Sequence, residues 1–303
     1  MMSDHPAPLP EVCILIVSYN FEPWIDRCLP SALASTLPAT IVVVDNGSSD
    51  RTCEIIRTHY PRVVLIETGE NLGFGKANNI GMEYALKRGF DYLFLMNQDA
   101  RIEPDALAKL VEAAESHAGY AVLSPLHLNS RGDAADFGFA TYTGLRDRAA
   151  AELLPEEVTE YPFINAALWL VPSRIIREAG GFAPLFAHYG EDRNFVLRVR
   201  KRGYKLGLVK AAVGYHEREN RPVSREQFFY SEYVYFLTEA SNPFYSGIRA
   251  FAYSVAAALK KAWKALFAGK LSDAAAYTVI AFRLAGRLPE AGATRREGFP
   301  KRR

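Results

Sequence analysis

The run Leu95-Met96-Asn97-Gln98-Asp99 passes abruptly from apolar to polar side chains. It has the pattern of a buried strand that ends in three polar residues, which packing alone does not require. A binding site at the carboxyl end of the strand does require them, since oxygen ligands there can hold a hard divalent cation against a diphosphate. An earlier apolar run, residues 41–44, ends similarly in Asp45-Asn46-Gly47-Ser48. Two strands that deliver carboxylates to one sheet edge predict a nucleotide site.

The composition limits the class of protein. The chain has 303 residues, of which 49% are hydrophobic and 23% charged, so it can bury a large core in one domain or in one domain with an appendage. A formal net charge of +2 gives no indication of nucleic-acid binding. The three cysteines form no CxxC pair, which argues against a disulfide framework or a zinc site. The composition therefore predicts a globular protein of a reducing compartment.

The sequence also bears on location. Residues 1–10 contain no apolar stretch, so we expect no signal peptide. The longest strongly apolar stretch, residues 250–259, is too short to span a bilayer. We therefore expect a cytoplasmic protein, with room for peripheral contact at the inner face of the cytoplasmic membrane.

The first half of the chain alternates strands with helices. The apolar runs predict strands at residues 12–17, 41–44, 63–66 and 92–96. Helical spacing follows each of them, as in residues 76–88, which close at Gly89. Repeated strand–helix units predict an α/β fold with a mostly parallel sheet that helices flank on both faces.

The second half is less regular. We expect further strands at residues 121–123, 166–171 and 204–209, with loops or short strands across the glycine- and aspartate-rich residues 128–160. From residue 228 onward the pattern becomes aromatic and alanine-rich helices, and the tail 295–303 has five basic residues against one glutamate. These changes predict a catalytic domain at residues 11–225 and a helical extension at 226–303.

The segment 45–50 has two interpretations. Asn-Gly and Ser-Asp favour a turn followed by a helix cap, which is structural. Alternatively, the Asp45 carboxylate accepts a hydrogen bond from the imide N–H of uracil or thymine. In that case its neighbours in the nucleotide site are Asn46 and the end of the first strand, Ser18, Tyr19 and Asn20.

The glycine-rich segment 70–79 is also open to two interpretations. It matches neither the dinucleotide pattern GxGxxG nor a P-loop. It is either a tight loop in which Asn78 and Asn79 bond to local backbone, or a loop whose Gly73, Lys76 and Asn78 face the ribose and diphosphate.

Three acidic or basic groups are candidates for chemistry. Asp99 either caps the helix near Pro104 or, with Asn97 and Gln98, faces a Mg²⁺ or Mn²⁺ ion. Glu191 and Asp192 either favour a helix N-terminus or stand beside a sugar, where a carboxylate can take a proton from a hydroxyl. His216 is either structural or a ligand of a metal or phosphate.

These segments together resemble the family-2 glycosyltransferases of the GT-A fold, and more narrowly the bacterial rhamnosyltransferase-type members. The resemblance covers roughly residues 11–220, in the family's order. The matching segments are Ile16-Val17-Ser18-Tyr19-Asn20, Val43-Val44-Asp45-Asn46-Gly47-Ser48, Asn71-Leu72-Gly73-Phe74-Gly75-Lys76-Ala77-Asn78-Asn79, Leu95-Met96-Asn97-Gln98-Asp99, Gly180-Gly181-Phe182, Tyr189-Gly190-Glu191-Asp192, Arg198 and His216.

The resemblance implies a Rossmann-like sheet and a role for each residue. Asp45 would read the base, Asp99 would bind the metal, and His216 would lie near the diphosphate or the metal. Asp192 would be the catalytic base, with Glu191 beside it positioning the acceptor or the helix. Family members invert the anomeric centre by direct displacement from a nucleotide sugar. One departure is Asn97 at the first acidic position of the family's DxD motif, which removes one charge from the metal site.

The resemblance also implies partners. We expect a dTDP- or UDP-linked donor, with dTDP-rhamnose the best guess, and a cell-surface or cell-wall glycan acceptor, free or lipid-linked. Two other functions stay open, a catalytically silent nucleotide-sugar-binding subunit and a nucleotidyltransferase. Lysines beside the apolar stretch, together with the basic tail, are typical of a helix on an anionic membrane, which predicts peripheral contact through residues 244–303.

Overall fold

The computed structural model describes residues 9–217 and 223–297. Within them the chain forms nine strands in one mixed sheet, ordered β3-β2-β1-β4-β8-β6-β9-β5, with β7 paired to β9. The strands are β1 Val12–Ser18, β2 Ala39–Asp45, β3 Val64–Glu67, β4 Tyr92–Asn97, β5 Ala100–Ile102, β6 Tyr120–Leu128, β7 Val158–Glu160, β8 Leu168–Pro172 and β9 Lys205–His216.

Helices connect the strands. The helices that flank the sheet are α1 Ile25–Leu33, α2 Thr52–His59, α3 Phe74–Arg88, α4 Ala106–Ser116, α5 Phe137–Thr143, α6 Arg148–Glu152, α7 Ser173–Ala179 and α8 Glu191–Lys201. The C-terminal helices are α9 Arg225–Ala240, α10 Gly247–Phe251, a π-helical segment Ala252–Ala256 that runs on into α11 Ala257–Phe267, and α12 Leu271–Glu297.

The sheet is buried on both faces, as the continuous apolar runs predicted. Successive residues of β1 point to opposite cores: Leu15 packs with α3, α7 and α8, whereas Ile14 packs with α1, α2 and α4. Trp169 on β8 has no exposed surface, and its ring centroid lies 6.0 Å from that of Phe195 on α8. This double covering fixes the strand ends, and therefore the site at the sheet edge.

The predicted fold class is confirmed. β1 to β4 form one parallel part and β6 also runs parallel to β9, whereas β8 runs antiparallel to β4 and to β6, and β5 and β7 run antiparallel to β9. The sheet of the described residues is thus less parallel than predicted. Residues 128–160 also hold two short helices where we expected loops or strands, since Asp136 and Asp147 cap α5 and α6 by accepting from backbone N–H groups.

The C-terminal helices pack on the rest of the protein through a third apolar cluster. Phe236 and Leu237 of α9 and Leu284 of α12 bury themselves with Leu185 and Phe186, which lie in the loop before α8. The division at residue 225 stays a prediction, but the contacts across it are apolar and extensive.

No helix of the described part of the chain is long and apolar enough to cross a membrane.

Candidate active site at the sheet edge

The carboxyl ends of β1 and β2 lie side by side. Ser18 and Asp45 are register partners, and the Ser18 hydroxyl donates to Oδ1 of Asp45 at 3.0 Å. The Ser48 backbone N–H donates to Oδ2 of Asp45 at 3.0 Å, and the Ser48 hydroxyl donates to Oδ1. Both Ser18 and Asp45 are almost fully buried. The carboxylate is therefore fixed in place by its own turn, with acceptor capacity left on Oδ2.

The side chains of Gln98 and Asn20 form hydrogen bonds with backbone groups of neighbouring segments. The Tyr19 N–H donates to Oε1 of Gln98 at 2.8 Å, and Nε2 of Gln98 donates back to the Tyr19 carbonyl at 3.1 Å. Asn20 has a positive φ of 50°, and its Oδ1 accepts from the Ser49 N–H at 2.9 Å. These side chains hold the strand ends of the predicted donor site together.

The loop before α3 is tied to the end of β2. Oδ1 of Asn46 accepts from the Leu72 N–H at 2.8 Å, and Nδ2 of Asn46 donates to Oδ1 of Asn71 at 3.0 Å. Lys76 is exposed, whereas Asn78 is buried and donates to the Phe74 carbonyl at 3.0 Å. The structure thus gives Asn78 the local bonding of the structural interpretation, uses Asn46 to link the end of β2 to this loop, and leaves Lys76 accessible.

The same loop lies against the segment that precedes α8. Gly73 has a φ of 82°, and a β-carbon there would lie 2.3 Å from the Ala187 carbonyl oxygen. Farther along α3, the Asn79 side chain accepts from the Phe182 N–H and donates to the Phe182 carbonyl, each at 2.8 Å. The geometry therefore joins the glycine-rich loop to the loop that carries Glu191 and Asp192.

Asp99 and His216 meet at the edge between β4 and β9. Nε2 of His216 lies 3.3 Å from Oδ1 of Asp99 and 3.4 Å from Nδ2 of Asn97. Nδ1 of His216 lies 3.7 Å from Oδ2 of Asp136, which is an ion-pair distance. Burial lowers the pKa of His216, but the carboxylates of Asp136 and Asp99 outweigh it and raise the pKa to about 9.

The residues around Asp99 can be examined as a binding site for a divalent cation. Within residues 9–217 and 223–297, no three His, Cys, Asp or Glu side chains are placed to hold a metal by themselves. Among the residues that the structure describes, the Oδ1 atom of Asn97 is buried without a hydrogen bond, and the Nδ2 atom of the same amide lies 3.4 Å from Nε2 of His216. Mg²⁺ usually takes one or two protein carboxylates and completes its coordination with water and substrate phosphate. A carboxylate, an amide oxygen and an imidazole fit such a sparse site once His216 loses the proton that its raised pKa retains at neutral pH, because only a neutral imidazole binds a metal.

Asp192 and Glu191 begin α8 after two residues of positive φ, Tyr189 at 62° and Gly190 at 85°. Oδ2 of Asp192 accepts from the Ala166 N–H at 3.4 Å, and Oδ1 accepts from the Arg193 N–H at 2.6 Å. Burial raises the pKa of Asp192, against the lowering effect of these N–H donors. The carboxylate is held at the first turn of the helix.

Glu191 is the more buried of the two acids. Only 4% of its surface is exposed, and its Oε2 atom has no hydrogen-bond partner among the described residues. Burial, with a smaller effect of the neighbouring Asp192 carboxylate, raises the pKa of Glu191 to about 7. Glu191 also packs beside Gly75 at the start of α3.

A short backbone path joins Asp192 to the end of β4. The Asn97 N–H donates to the Ala167 carbonyl at 2.9 Å, and the next residue back, Ala166, donates to Asp192. The ends of β1, β2 and β4 and the start of α8 therefore lie at one edge of the sheet. The elements that carry Asp45, Asp99 and Asp192, which are distant in sequence, thus end at the same edge.

Some residues at this edge had no clear sequence signal. Asp136 faces His216 from a region we predicted as loops or short strands, and Glu217, whose side chain is 8% exposed, contacts Arg27 and Arg101. Arg198 is buried, and its guanidinium donates to the carbonyls of Ala179 and Gly181. Of these residues, only Arg198 was among the positions that carried the resemblance.

Comparison with known proteins supports the resemblance. The sequence model described as Glycosyl transferase family 2 matches residues 13–139. The chain is 27% identical over 231 residues to an N-acetylglucosaminyl-diphospho-decaprenol L-rhamnosyltransferase of Mycobacterium tuberculosis, which covers 68% of this chain and 75% of that protein.

Two solved structures have a similar fold. S. aureus TarS 1–349 superposes with a TM-score of 0.59 at 16% identity, over 94% of this chain and 87% of that one, and has also been solved with UDP and with UDP-GlcNAc. GalNAc-T7, solved with UDP, GalNAc and Mn²⁺, has a TM-score of 0.57 at 18% identity, over 78% of this chain and 51% of that one. The matched domain, the relative and the fold together support the resemblance of this chain to the family-2 glycosyltransferases of the GT-A fold.

Proposed function

We propose that the chain is an inverting glycosyltransferase that moves rhamnose from dTDP-rhamnose to a hydroxyl of a lipid-linked or cell-wall glycan, in polysaccharide biosynthesis. The name of the mycobacterial relative supports this choice of sugar and acceptor, since that protein is an L-rhamnosyltransferase acting on a diphospho-decaprenol substrate. The observation that carries the proposal most is the grouping of Asp45, Asp99 and Asp192 at one sheet edge.

The donor would bind across the ends of β1, β2 and β4. Asp45 would accept the imide N–H of thymine or uracil, because Oδ2 keeps acceptor capacity beside the Ser48 N–H. Lys76, which is exposed at the start of α3, would face the negative diphosphate. Ser18, Asn20 and Gln98 would serve this site by fixing its walls.

Asp192 would be the general base. Its carboxylate would take the proton of the acceptor hydroxyl while that oxygen bonds to the anomeric carbon, and the bond from this carbon to the diphosphate oxygen would break. The raised pKa of Asp192 suits this role, because a base whose pKa is closer to neutral accepts a proton more readily. Glu191 would hold the start of α8 in place.

A Mg²⁺ or Mn²⁺ ion would be held by Asp99, His216 and the free amide oxygen of Asn97. When bound, such an ion neutralises charge that develops on a departing diphosphate. Metal dependence is part of this proposal, as is a location at the cytoplasmic side of the membrane, where a lipid-linked acceptor would be reached.

A donor screen tests the proposal. We expect dTDP- or UDP-sugars with Mg²⁺ or Mn²⁺ to raise the melting temperature, since ligands that bind only the folded state stabilise it. Asp45→Asn should abolish that shift for pyrimidine nucleotides. Its melting temperature without ligand shows whether the variant still folds.

Release of nucleoside diphosphate with a lipid-linked acceptor tests the reaction itself. Binding of a donor without any release in the presence of acceptors would instead identify a silent donor-binding subunit. If no uridine or thymidine compound shifts the melting curve, the proposed donor site is wrong.

A further inference from the structure

One face of the C-terminal helices is apolar and exposed. In α11 the buried positions are Ala258, Ala262 and Ala265, which face the protein. The outer side of α11 presents large apolar side chains at helical spacing. Further exposed apolar side chains lie on α10 and at the start of α12. We call this set the apolar helix face; its members are Ile248, Phe251, Leu259, Trp263, Leu266, Phe267 and Leu271.

The exposure of these side chains is large. Ile248 is 84% exposed, Phe267 81% and Trp263 58%, and the rings of Trp263 and Phe267 lie 5.4 Å apart. The apolar positions 259, 263, 266 and 267 fall on one side of α11, because they are three to four residues apart. A contiguous apolar patch of this kind marks an interaction site in a folded protein.

The charge around the apolar helix face has one sign. Between Glu239 and Asp273 the sequence contains no acidic residue but five basic ones, namely Arg249, Lys260, Lys261, Lys264 and Lys270. Lys261 pairs with Glu232 on α9. In the part of the chain that the structure describes, Lys260, Lys264 and Lys270 are exposed and form no ion pair.

We propose that the apolar helix face docks on an anionic lipid surface. Aromatic and aliphatic side chains would enter the boundary between headgroups and acyl chains, while Lys260, Lys264 and Lys270 contact lipid phosphates. The interleaving of lysines with the apolar residues favours lipid over a second copy of this chain, since the core of a protein interface is depleted in lysine. The long lysine side chains can reach the headgroups while their stems stay in apolar surroundings.

The same helices brace the loop that leads to Asp192. The Tyr230 hydroxyl of α9 donates to the His188 carbonyl at 2.7 Å, and Nη2 of Arg287 on α12 donates to the Leu185 carbonyl at 2.9 Å. Docking would therefore fix the orientation of the acceptor side of the site relative to the lipid. This deepens the proposed function, but the docking itself needs neither donor nor acceptor.

Vesicle sedimentation tests the inference on the full chain. We expect binding to vesicles that contain phosphatidylglycerol, weakened by salt, and little binding to phosphatidylcholine alone. The double variant Trp263→Glu, Phe267→Glu should partition into phosphatidylglycerol vesicles at least about tenfold less. The control is the Leu153→Glu variant, which changes an 86% exposed leucine outside the C-terminal helices. This variant should bind vesicles as the wild type does.

Two further measurements complete the test. Vesicles should shift the fluorescence of exposed Trp263 to shorter wavelength, and an unchanged melting temperature of the double variant shows that it folds. The inference would be overturned if the wild-type protein did not bind phosphatidylglycerol vesicles, or if the double variant bound them as well as the wild type does. Sedimentation velocity showing a dimer that this double variant abolishes would also overturn it. Donor binding is measured in a separate assay. A negative vesicle result therefore does not contradict the proposed glycosyl transfer, and a negative donor screen does not contradict the proposed lipid docking.

Discussion

Gly73 and Ala187 approach each other so closely that a β-carbon at position 73 would lie 2.3 Å from the Ala187 carbonyl oxygen. This contact joins the predicted donor loop to the segment that leads into Glu191 and Asp192. The residues come from parts of the chain more than a hundred positions apart. Their contact therefore couples the donor side of the site to the acceptor side.

The first prediction concerns the backbone and the close contact at Gly73. Gly73 and Gly89 both have a positive φ, 82° and 87°, but Gly73 has a ψ of 160°, which is essentially restricted to glycine, whereas Gly89 has a ψ of 11° in the left-handed helical region and a β-carbon there would meet nothing within 4 Å. Gly89→Ala should cost about 1–2 kcal/mol in the free energy of unfolding. Gly73→Ala should cost about 1–3 kcal/mol more and reduce transfer, because the Ala187 backbone must move. Urea unfolding checks both values, and equal costs would show that the Ala187 contact is unimportant.

The second prediction concerns stability and pH. In the folded state the pKa of Glu191 is raised from 4.5 to about 7, so the folded protein keeps a proton that the unfolded chain has released. Stability should therefore fall as pH rises from about 4.5 to about 7. Glu191→Gln should remove this component and, at pH 8, raise the free energy of unfolding by on the order of 3 kcal/mol.

Unfolding at a series of pH values measures the difference between the two proteins. At pH 4 the variant and the wild type should be nearly equal. The control is Glu112→Gln on the exposed side of α4, which should leave the pH profile unchanged. A wild-type profile that runs parallel to that of Glu191→Gln would show that Glu191 titrates normally.

The third prediction concerns the metal. Asn97→Asp would place a second carboxylate beside Asp99 and His216, and should strengthen Mn²⁺ binding by roughly tenfold or more because a charged oxygen replaces a neutral one. Asn97→Ala should weaken it. Isothermal titration with Mn²⁺ in the absence of substrate measures both, and equal affinities in all three proteins would exclude position 97 from the site.

The fourth prediction concerns the base. Asp192→Asn should lower transfer by about 10²–10⁴-fold while donor binding in the melting assay is unchanged, since removal of a general base affects the chemical step. Asp105→Asn provides the control, because the Asp105 side chain is 51% exposed and pairs only with Lys109 in the described region. Transfer at the wild-type rate in the Asp192 variant would assign the base role elsewhere.

The sequence predicted the first half of the fold well because its strands are continuous apolar runs. Residues 12–17, 41–44 and 92–96 lie within β1, β2 and β4. The longer strands β6 and β9 were seen only in part, because Ser124, His127 and Gly214 interrupt their apolar pattern. Tertiary pairing, which a local pattern does not record, extends these strands through the polar positions.

The positions of the candidate residues at strand ends were predictable, but their contacts were not. The strand-end position of Asp45 and Asp99 follows from the alternation of strands and helices. The contact of Asp136 with His216 does not, since the two are eighty positions apart and the first lies at the cap of a short helix. Likewise, nothing in the local sequence shows that the Asn79 side chain bonds to Phe182.

The docking of the C-terminal helices on the loop before α8 has a practical consequence. A fragment ending near residue 225 would lose the Tyr230 and Arg287 donors to the His188 and Leu185 carbonyls, and would expose Phe186 to water. Such a truncation would loosen the very segment that presents Asp192. Expression trials aimed at a minimal catalytic unit should therefore retain the chain through α12.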